Sequence, residues 1–483
     1  MVTRLLLLLC LGARLAPAQV PPTLNQPAAG YRGIWYFIGP TRDAYAYKYS
    51  GGLGTYPSNH TPFVVYAPAV QKTFFCYGGV RDSSARQLGH YVGAFDHRTR
   101  RVSRPVLVLD KQTDDAHDNP VLQIDSAGYL YLFSTSHGTE RPSLIHRSRR
   151  PYDPSAFERV AATRLGPDGQ PVPFDNFSYF QSHYLPGRGF LALMTHYDRG
   201  VLPHAPRKPR RSIGYLSSPD GQRWSALRDI ALIEEGHYQT SAQQGARVGT
   251  AFNHHPNRTE GAGLDYRTNL YYAETPDFGT RWQAADGTPL VLPLRTVPNP
   301  ALVHDYAREG RNVYINDVAF DAAGRPLIFY LTSAGPAPGP GSGPYRWHVA
   351  HWDGTRWLIR DVGEADHNYD MGSLYVERGV WRLIGPLRRG PQPFGTGGEL
   401  SLLESRDAGQ TWRRRRDLTR HSPRNHAYPR RGPVPHPDFY ALWADGDARR
   451  PSVSRLYFSN RRGRVYQLPD QMTTDTQRPR RVR

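Results

Sequence analysis

Hydrophobic and polar positions along this chain show almost no helical periodicity. Short runs of aromatic and β-branched residues are separated by Asp-x-x-Gly or Gly-x-Gly punctuation, the pattern of strands joined by tight turns. One stretch shows the grammar: Val121 to Ile124, a turn at Asp125-Ser126-Ala127-Gly128, Tyr129 to Ser134, then a third strand from Ser143. Another repeats it, with Val313 to Phe320, Asp321-Ala322-Ala323-Gly324, Pro326 to Thr332, Tyr345 to Trp352 and Trp357 to Ile359. Cutting at each inner-strand start predicts seven units, 65–110, 118–163, 177–231, 245–290, 311–363, 369–420 and 426–469, each able to hold four strands.

A recurring turn supports the division. Thr275-Pro276-Asp277-Phe278-Gly279-Thr280-Arg281-Trp282 and Ser405-Arg406-Asp407-Ala408-Gly409-Gln410-Thr411-Trp412 fit Ser/Thr-x-Asp-x-Gly-x-x-Trp, an Asp box, and Ser218 to Trp224 is a form one residue shorter. The Asp folds the turn, Gly takes the positive φ and Trp opens the next strand. The tryptophans at 224, 282 and 412 are 58 and 130 residues apart, one step and then two of a period of about 60, the size of a propeller blade. The predicted fold is all-β, a seven-bladed propeller of four-stranded antiparallel blades over 65–469. Residues 19–64 are expected to close or cover the ring, Gly335 to Gly343 to form a mobile loop, and the basic tail 470–483 to be disordered.

Residues 1–18 read as a signal peptide: Arg4, an apolar run from Leu5 to Leu11, and Ala16-Pro17-Ala18 before Gln19. The expectation is a secreted or periplasmic protein with no membrane span, since the run is too short to cross a bilayer. Cleavage there leaves Cys76 as the one cysteine, so no internal disulfide forms and the core must carry the fold. Of 61 basic residues only four are lysine, and the formal charge is +19. Guanidinium forks suit carboxylate and sulfate. The arginines are scattered, which disfavours nucleic acid. The expected partner is an anionic polysaccharide or oligosaccharide, and the expected state a monomer.

Topology sorts the polar residues. In a four-stranded meander the unit-to-unit connections and the loops between strands two and three share one face, and the Asp-box turns lie on the other. Unit entries on the first face carry Asn59-His60, His117-Asp118-Asn119, Asp175-Asn176, Asn316-Asp317, His367-Asn368-Tyr369-Asp370 and Asn425-His426, and the loops after strand two carry His137, His196-Tyr197 and His254-His255. A sialidase needs three clustered arginines and a Tyr–Glu pair, and Arg32 is the only early arginine candidate. A glycosidase would use two of Asp118, Asp175, Asp317 and Asp370. The His/Tyr/Arg set better suits β-elimination on a uronic acid: a cation neutralises the carboxylate, a base takes the C5 proton and an acid protonates O4. That chemistry requires no cofactor.

Tyr31-Arg32-Gly33-Ile34-Trp35-Tyr36, Asp115-Ala116-His117-Asp118-Asn119-Pro120 and Phe133-Ser134-Thr135-Ser136-His137-Gly138, with the Asp boxes, resemble the BNR-repeat secreted propellers that include the seven-bladed ulvan lyases. The resemblance implies a polysaccharide lyase with His117, Tyr197, His137 and Arg211 as catalytic residues. Tyr197 and His117 are assigned as base and acid, and Arg211 and His137 as carboxylate ligands. Substrate contacts are assigned to His254 (where the family places a second Tyr), Asn119, Tyr184, His196 and His367. A basic insertion from His204 to Arg210 departs from the family pattern. Such propellers can carry a structural ion, zinc or calcium, for which His254-His255 with Asp265 and His367 with Asp370 are candidate ligands. The leading expectation is a lyase acting on a uronate-containing, sulfated or unsulfated glycan. The alternatives are a non-catalytic carbohydrate-binding propeller and a sialidase-like glycoside hydrolase.

Overall fold

In the computed structural model, which describes residues 20–53, 59–82, 86–202, 205–257 and 265–482, the punctuated runs are strands. The described residues are all-β apart from short 3₁₀ turns. Four-stranded antiparallel meanders span 120–160, 178–231, 239–304, 312–365 and 373–417. Residues 64–110 form the body of a seven-stranded sheet, and 425–467 supply four strands of a five-stranded one. The signal-like segment 1–18 lies outside the described residues.

Aromatic contacts tie the sheets from the second onward to one another and the last back to the first. Phe133 meets Phe180 at 4.6 Å, Tyr215 meets Trp282 at 5.0 Å, Tyr272 meets Trp357 at 5.5 Å, His351 meets Trp381 at 5.0 Å and Tyr375 stacks on Tyr440 at 4.0 Å. Phe439 and Phe458 of the last sheet then pack on Phe75 and Phe95 of the first, at 5.2 Å in each pair. Inner strands, flanked on both faces, are buried along their whole length, as in Asn312–Phe320 and Pro326–Ser333. Outer strands such as Arg413–Asp417 face solvent. Cys76 is free and buried within the first sheet's apolar cluster.

The repeated turns join third to fourth strands. Ser218 Oγ accepts the Gly221 N–H at 2.8 Å, Asp220 Oδ1 accepts those of Gln222 and Arg223, each at 2.9 Å, and Trp224 Nε1 donates to the Gly221 carbonyl. Ser405 and Asp407 do the same for Gly409 and Thr411, both at 2.9 Å.

Three expectations change. The predicted fourth unit begins at Gln239–Gln244, and residue 245 is the turn after its first strand, not the start. Gly335 to Gly343 is held in place, with Tyr345 Oη donating to the Gly339 carbonyl at 2.7 Å and Asn368 Nδ2 to that of Gly335 at 2.9 Å. The tail is ordered through residue 482: Thr476–Gln477 pairs with Val102–Ser103 of the first sheet and Arg480–Arg481 with Tyr466–Gln467 of the last. Backbone pairing to two sheets outweighs the tail's like charge. The N-terminal segment contributes Gln26–Pro27 to the first sheet and a hairpin of Tyr36–Pro40 and Tyr47–Gly51. The hairpin docks by Tyr428 Oη donating to the Ser50 carbonyl at 2.8 Å and by Tyr49 meeting Tyr369 at 4.7 Å.

Candidate active site

Sequence-distant side chains converge where unit entries and second-to-third-strand loops meet. The Asp-Ala-His turn before Pro120–Ile124 folds because Asp115 Oδ1 accepts the His117 N–H at 2.9 Å and its Nδ1 at 2.6 Å. His137 follows Leu130–Ser134; its N–H donates to Asp118 Oδ1 at 2.7 Å, and its Nδ1 lies 3.3 Å from Asp115 Oδ2. One carboxylate thus orients both imidazoles, which stack at 4.2 Å. Arg141 braces Asp115 and Asp118, at 3.0 and 3.1 Å.

The meanders over 178–231 and 239–304 supply the rest. Tyr197 and Arg211 pair across one hairpin, and Asn176 Nδ2 donates to the Tyr197 carbonyl at 2.7 Å. His137 lies 5.8 Å from the Tyr197 ring and 6.2 Å from Tyr179, and Tyr179 is 5.3 Å from Tyr238. Tyr238 immediately precedes Gln239–Gln244, fixed by its N–H to Asn253 Oδ1 at 3.0 Å. Arg211 lies over its ring at 5.3 Å and Arg267 at 4.5 Å. Arg211 Nε donates to the Glu235 carbonyl at 3.2 Å. Gly236, at φ +117°, permits that approach, since a Cβ there would lie 2.7 Å from Arg211 Cγ.

The electrostatics divide the groups. Burial would raise the Tyr238 phenol, but the Arg211 and Arg267 charges hold it down to about 7. Tyr197 is pushed up by burial against the opposing pull of Arg211. Burial lowers His117, while for His137 the Asp115 carboxylate overcomes desolvation and raises it. Lys48, desolvated and beside Arg267, comes down to about 7 and pairs with Asp265. The result is one imidazole biased toward its neutral form, one biased toward its cation, two guanidiniums and a phenol poised to ionise.

His117, His137, Tyr197 and Arg211 therefore share one neighbourhood. The other sequence-assigned residues do not join it directly. Tyr184 lies at the opposite end of Ser178–Leu185, its hydroxyl 2.9 Å from Ser126 Oγ. His196 points to the other face of its strand from Tyr197 by alternation. Asn119 is a turn residue, donating to the Ala116 carbonyl at 2.9 Å. His254 is buried, 3.6 Å from Glu234, and its neighbour His255 approaches Tyr238, at 5.1 Å. His367 sits behind Lys48, Nε2 3.1 Å from that residue's carbonyl. Of the basic insertion, residues 205–210 belong to the strand Ala205–Ser218, and His204 lies outside the described residues.

The suggested metal ligands are engaged elsewhere: Asp265 with Lys48, and Asp370 with the N–H groups of His367 at 3.0 Å and Gly397 at 2.8 Å. Two other groups of described residues bring three ligand atoms within 4.8 Å, Asp115-His117-His137 and His97-His436-Asp438. In the first, Asp115 already takes both Nδ1 atoms, the arrangement of oriented acid–base imidazoles. In the second, the Asp438 N–H donates to His436 Nδ1 at 3.1 Å, which puts the neutral ring's proton on Nε2, so neither nitrogen is a free lone pair.

Sequence reasoning missed Tyr238, Arg267, Tyr179 and Asp115. Arg267 immediately precedes the third strand of its meander, Thr268–Thr275, whereas Arg211 lies within the third strand of the preceding one, Ala205–Ser218.

Residues 96–365, more than half of the chain, match the family described as BNR repeat-containing family member. The chain belongs to the BNR repeat-containing family. Among curated proteins this family member is similar to an ulvan lyase of Nonlabens ulvanivorans, 23% identical over 353 residues, covering 62% of this chain and 69% of that one. It is also similar to the PL25 ulvan lyase of Pseudoalteromonas sp. (strain PLSV), 23% identical over 320 residues, where the alignment covers 60% of this chain and 61% of the relative. Among solved structures, a PL25 ulvan lyase bound to -[GlcA(1-4)Rha3S]- shares the fold with a TM-score of 0.67 at 16% identity, over 90% of this chain and 96% of that one. Polysaccharide lyase Uly1 superposes with a TM-score of 0.59 at 10% identity, over 91% and 98%.

Proposed function

We propose that this chain is an exported seven-bladed propeller, with Asp-box turns on one face, that cleaves a uronate-containing, sulfated glycan by β-elimination at the cluster around Tyr238. The observation that carries the reading is a phenol held near neutrality by two guanidiniums, beside two imidazoles oriented by one carboxylate. The similarity to ulvan lyases, one of them bound to a glucuronate–sulfated rhamnose chain, supports it.

The uronate carboxylate sits against Arg211 and the His137 imidazolium, which stabilise the negative charge that grows there as the C5–H bond breaks. Tyr238, as phenolate, takes the C5 proton. The electron pair forms the C4–C5 double bond, and the C4–O4 bond breaks with its pair passing to O4. Tyr197, kept protonated by burial, donates the proton that O4 requires, and no water is consumed. His117, neutral and anchored to Asp115, holds His137 in place by stacking. This departs from the sequence assignment, which gave Tyr197 and His117 the proton transfers; Tyr238 now replaces His117 in that pair because only its phenol is shifted toward working pH.

Incubation with glucuronate–rhamnose polysaccharide tests the proposal. Elimination predicts new absorbance from the unsaturated uronate together with new reducing ends. Reducing ends without that absorbance would mean hydrolysis, and binding without either would mean a lectin-like module; each overturns the reading.

A further inference from the structure

We propose that the protein carries a second glycan site, specific for sulfated chains, on the face opposite the candidate active site. The turns joining third and fourth strands of the first and last sheets meet there. They enclose, with the ordered tail, a cavity of about 530 Å³. Five arginines line it: Arg100 from the first sheet's turn, Arg461, Arg462 and Arg464 from the last sheet's, and Arg478 from the tail. All five are exposed.

Three features distinguish this pocket from a merely basic surface. Arg461 reaches Glu377 only at 3.9 Å, and among the described residues Arg100, Arg462, Arg464 and Arg478 pair with no carboxylate, whereas Arg98, on the same turn as Arg100, is matched by Asp96 at 3.7 Å. The floor is aromatic: Tyr466, half-buried, stacks on Phe458 at 5.1 Å, giving a platform for a sugar ring. Asp438 is the single lining carboxylate, so the net field stays strongly positive.

Guanidinium forks around a stacking surface fit a sulfated oligosaccharide, in which sulfate esters recur along a chain of sugar faces. The site is distinct from the Tyr238 cluster and would retain polymer between cleavage events.

The test uses the full chain carrying His117→Ala, to suppress turnover, titrated calorimetrically with a sulfated glucuronate–rhamnose octasaccharide. Adding Arg462→Ser and Arg464→Ser is expected to remove one class of binding site, or weaken it about ten-fold or more, with an unchanged melting temperature. Arg100→Ser with Arg478→Ser, on different chain segments, should act alike if the first pair impairs folding. The desulfated octasaccharide should lose the same component. Identical isotherms with and without the substitutions overturn the proposal, as does equal affinity for single-stranded DNA of matched charge, which would mean an unselective polyanion surface. Binding is read without turnover, so failure of the lyase assay leaves this result interpretable. With His117 restored, the Arg462→Ser/Arg464→Ser variant should cleave short oligosaccharides at the parent rate and raise KM for polymer.

Discussion

At the residue scale, the cluster's chemistry depends on which charges face which groups. Tyr238→Phe keeps the ring between Arg211 and Arg267 but removes the ionisable oxygen. It should lower kcat about 100-fold or more, the range of a lost general base, with little change in melting temperature. It should also erase the tyrosinate absorbance that titrates near pH 7 in the parent. The wild-type rate should rise as pH climbs through about 7 and Tyr238 ionises, then fall as His137 loses its proton. Asp115 raises His137 and so favours its cation. Asp115→Asn should therefore move the alkaline limb of the kcat/KM profile to lower pH, and an unmoved limb would remove His137 from carboxylate binding. Arg211 is buried and anchors the Glu235 carbonyl, so Arg211→Ala should cost stability as well as turnover. Arg211→Lys is the cleaner probe, and it should shift the acid limb upward as Tyr238 loses its delocalised partner.

At the element scale, the repeated turns and the inner strands behave differently. Trp224 is buried against Phe133, Phe174, Phe180 and Phe190 and fixes the turn through Gly221. Trp224→Ala should cost about 3–5 kcal/mol in urea unfolding, the penalty of an aromatic cavity, and leave the pH profile of the remaining activity unaltered. The strand Gln239-Thr240-Ser241-Ala242-Gln243-Gln244 carries no large apolar residue, which is why a pattern reading starts the fourth unit six residues late. Its side chains bond sideways to the preceding sheet: Ser241 Oγ is 2.8 Å from His183 Nε2, and Gln243 Nε2 donates to the Tyr184 carbonyl at 2.9 Å. A strand whose neighbours satisfy its polar groups needs no hydrophobic alternation, and that misplaced start concealed Tyr238 as a loop residue.

At the scale of the whole molecule, both chain ends reinforce the seam between the first and last sheets. The Tyr31 N–H donates to the Pro469 carbonyl at 2.8 Å, that of Met472 to Ala29 at 2.6 Å, and the tail adds strands to both sheets. Deleting residues 470–483 should lower stability by roughly 1–3 kcal/mol, from several lost buried hydrogen bonds. By taking Arg478 away it should also weaken sulfated-glycan binding on that face while turnover of short substrates persists. An unchanged melting temperature in the truncated chain would show that the seam closes without its clasp.

Strand type, turn chemistry and the all-β architecture of four-stranded antiparallel sheets were legible in the sequence because each is local: alternation, Asp hydrogen bonds and a Gly at positive φ operate within about ten residues. Loop parity in a meander decides which end of a strand faces which side, which placed His117, His137 and Tyr197 on one face; Arg211 was singled out by the family resemblance. What the sequence left open was contact between units. Arg267 lowers Tyr238 from 29 residues away, Asp115 reaches His137 22 residues on, and the tail becomes ordered partly through the first sheet, more than 370 residues before it. Only the tertiary structure decided these, because pKa shifts and strand pairing depend on distance in space, which residue spacing does not encode.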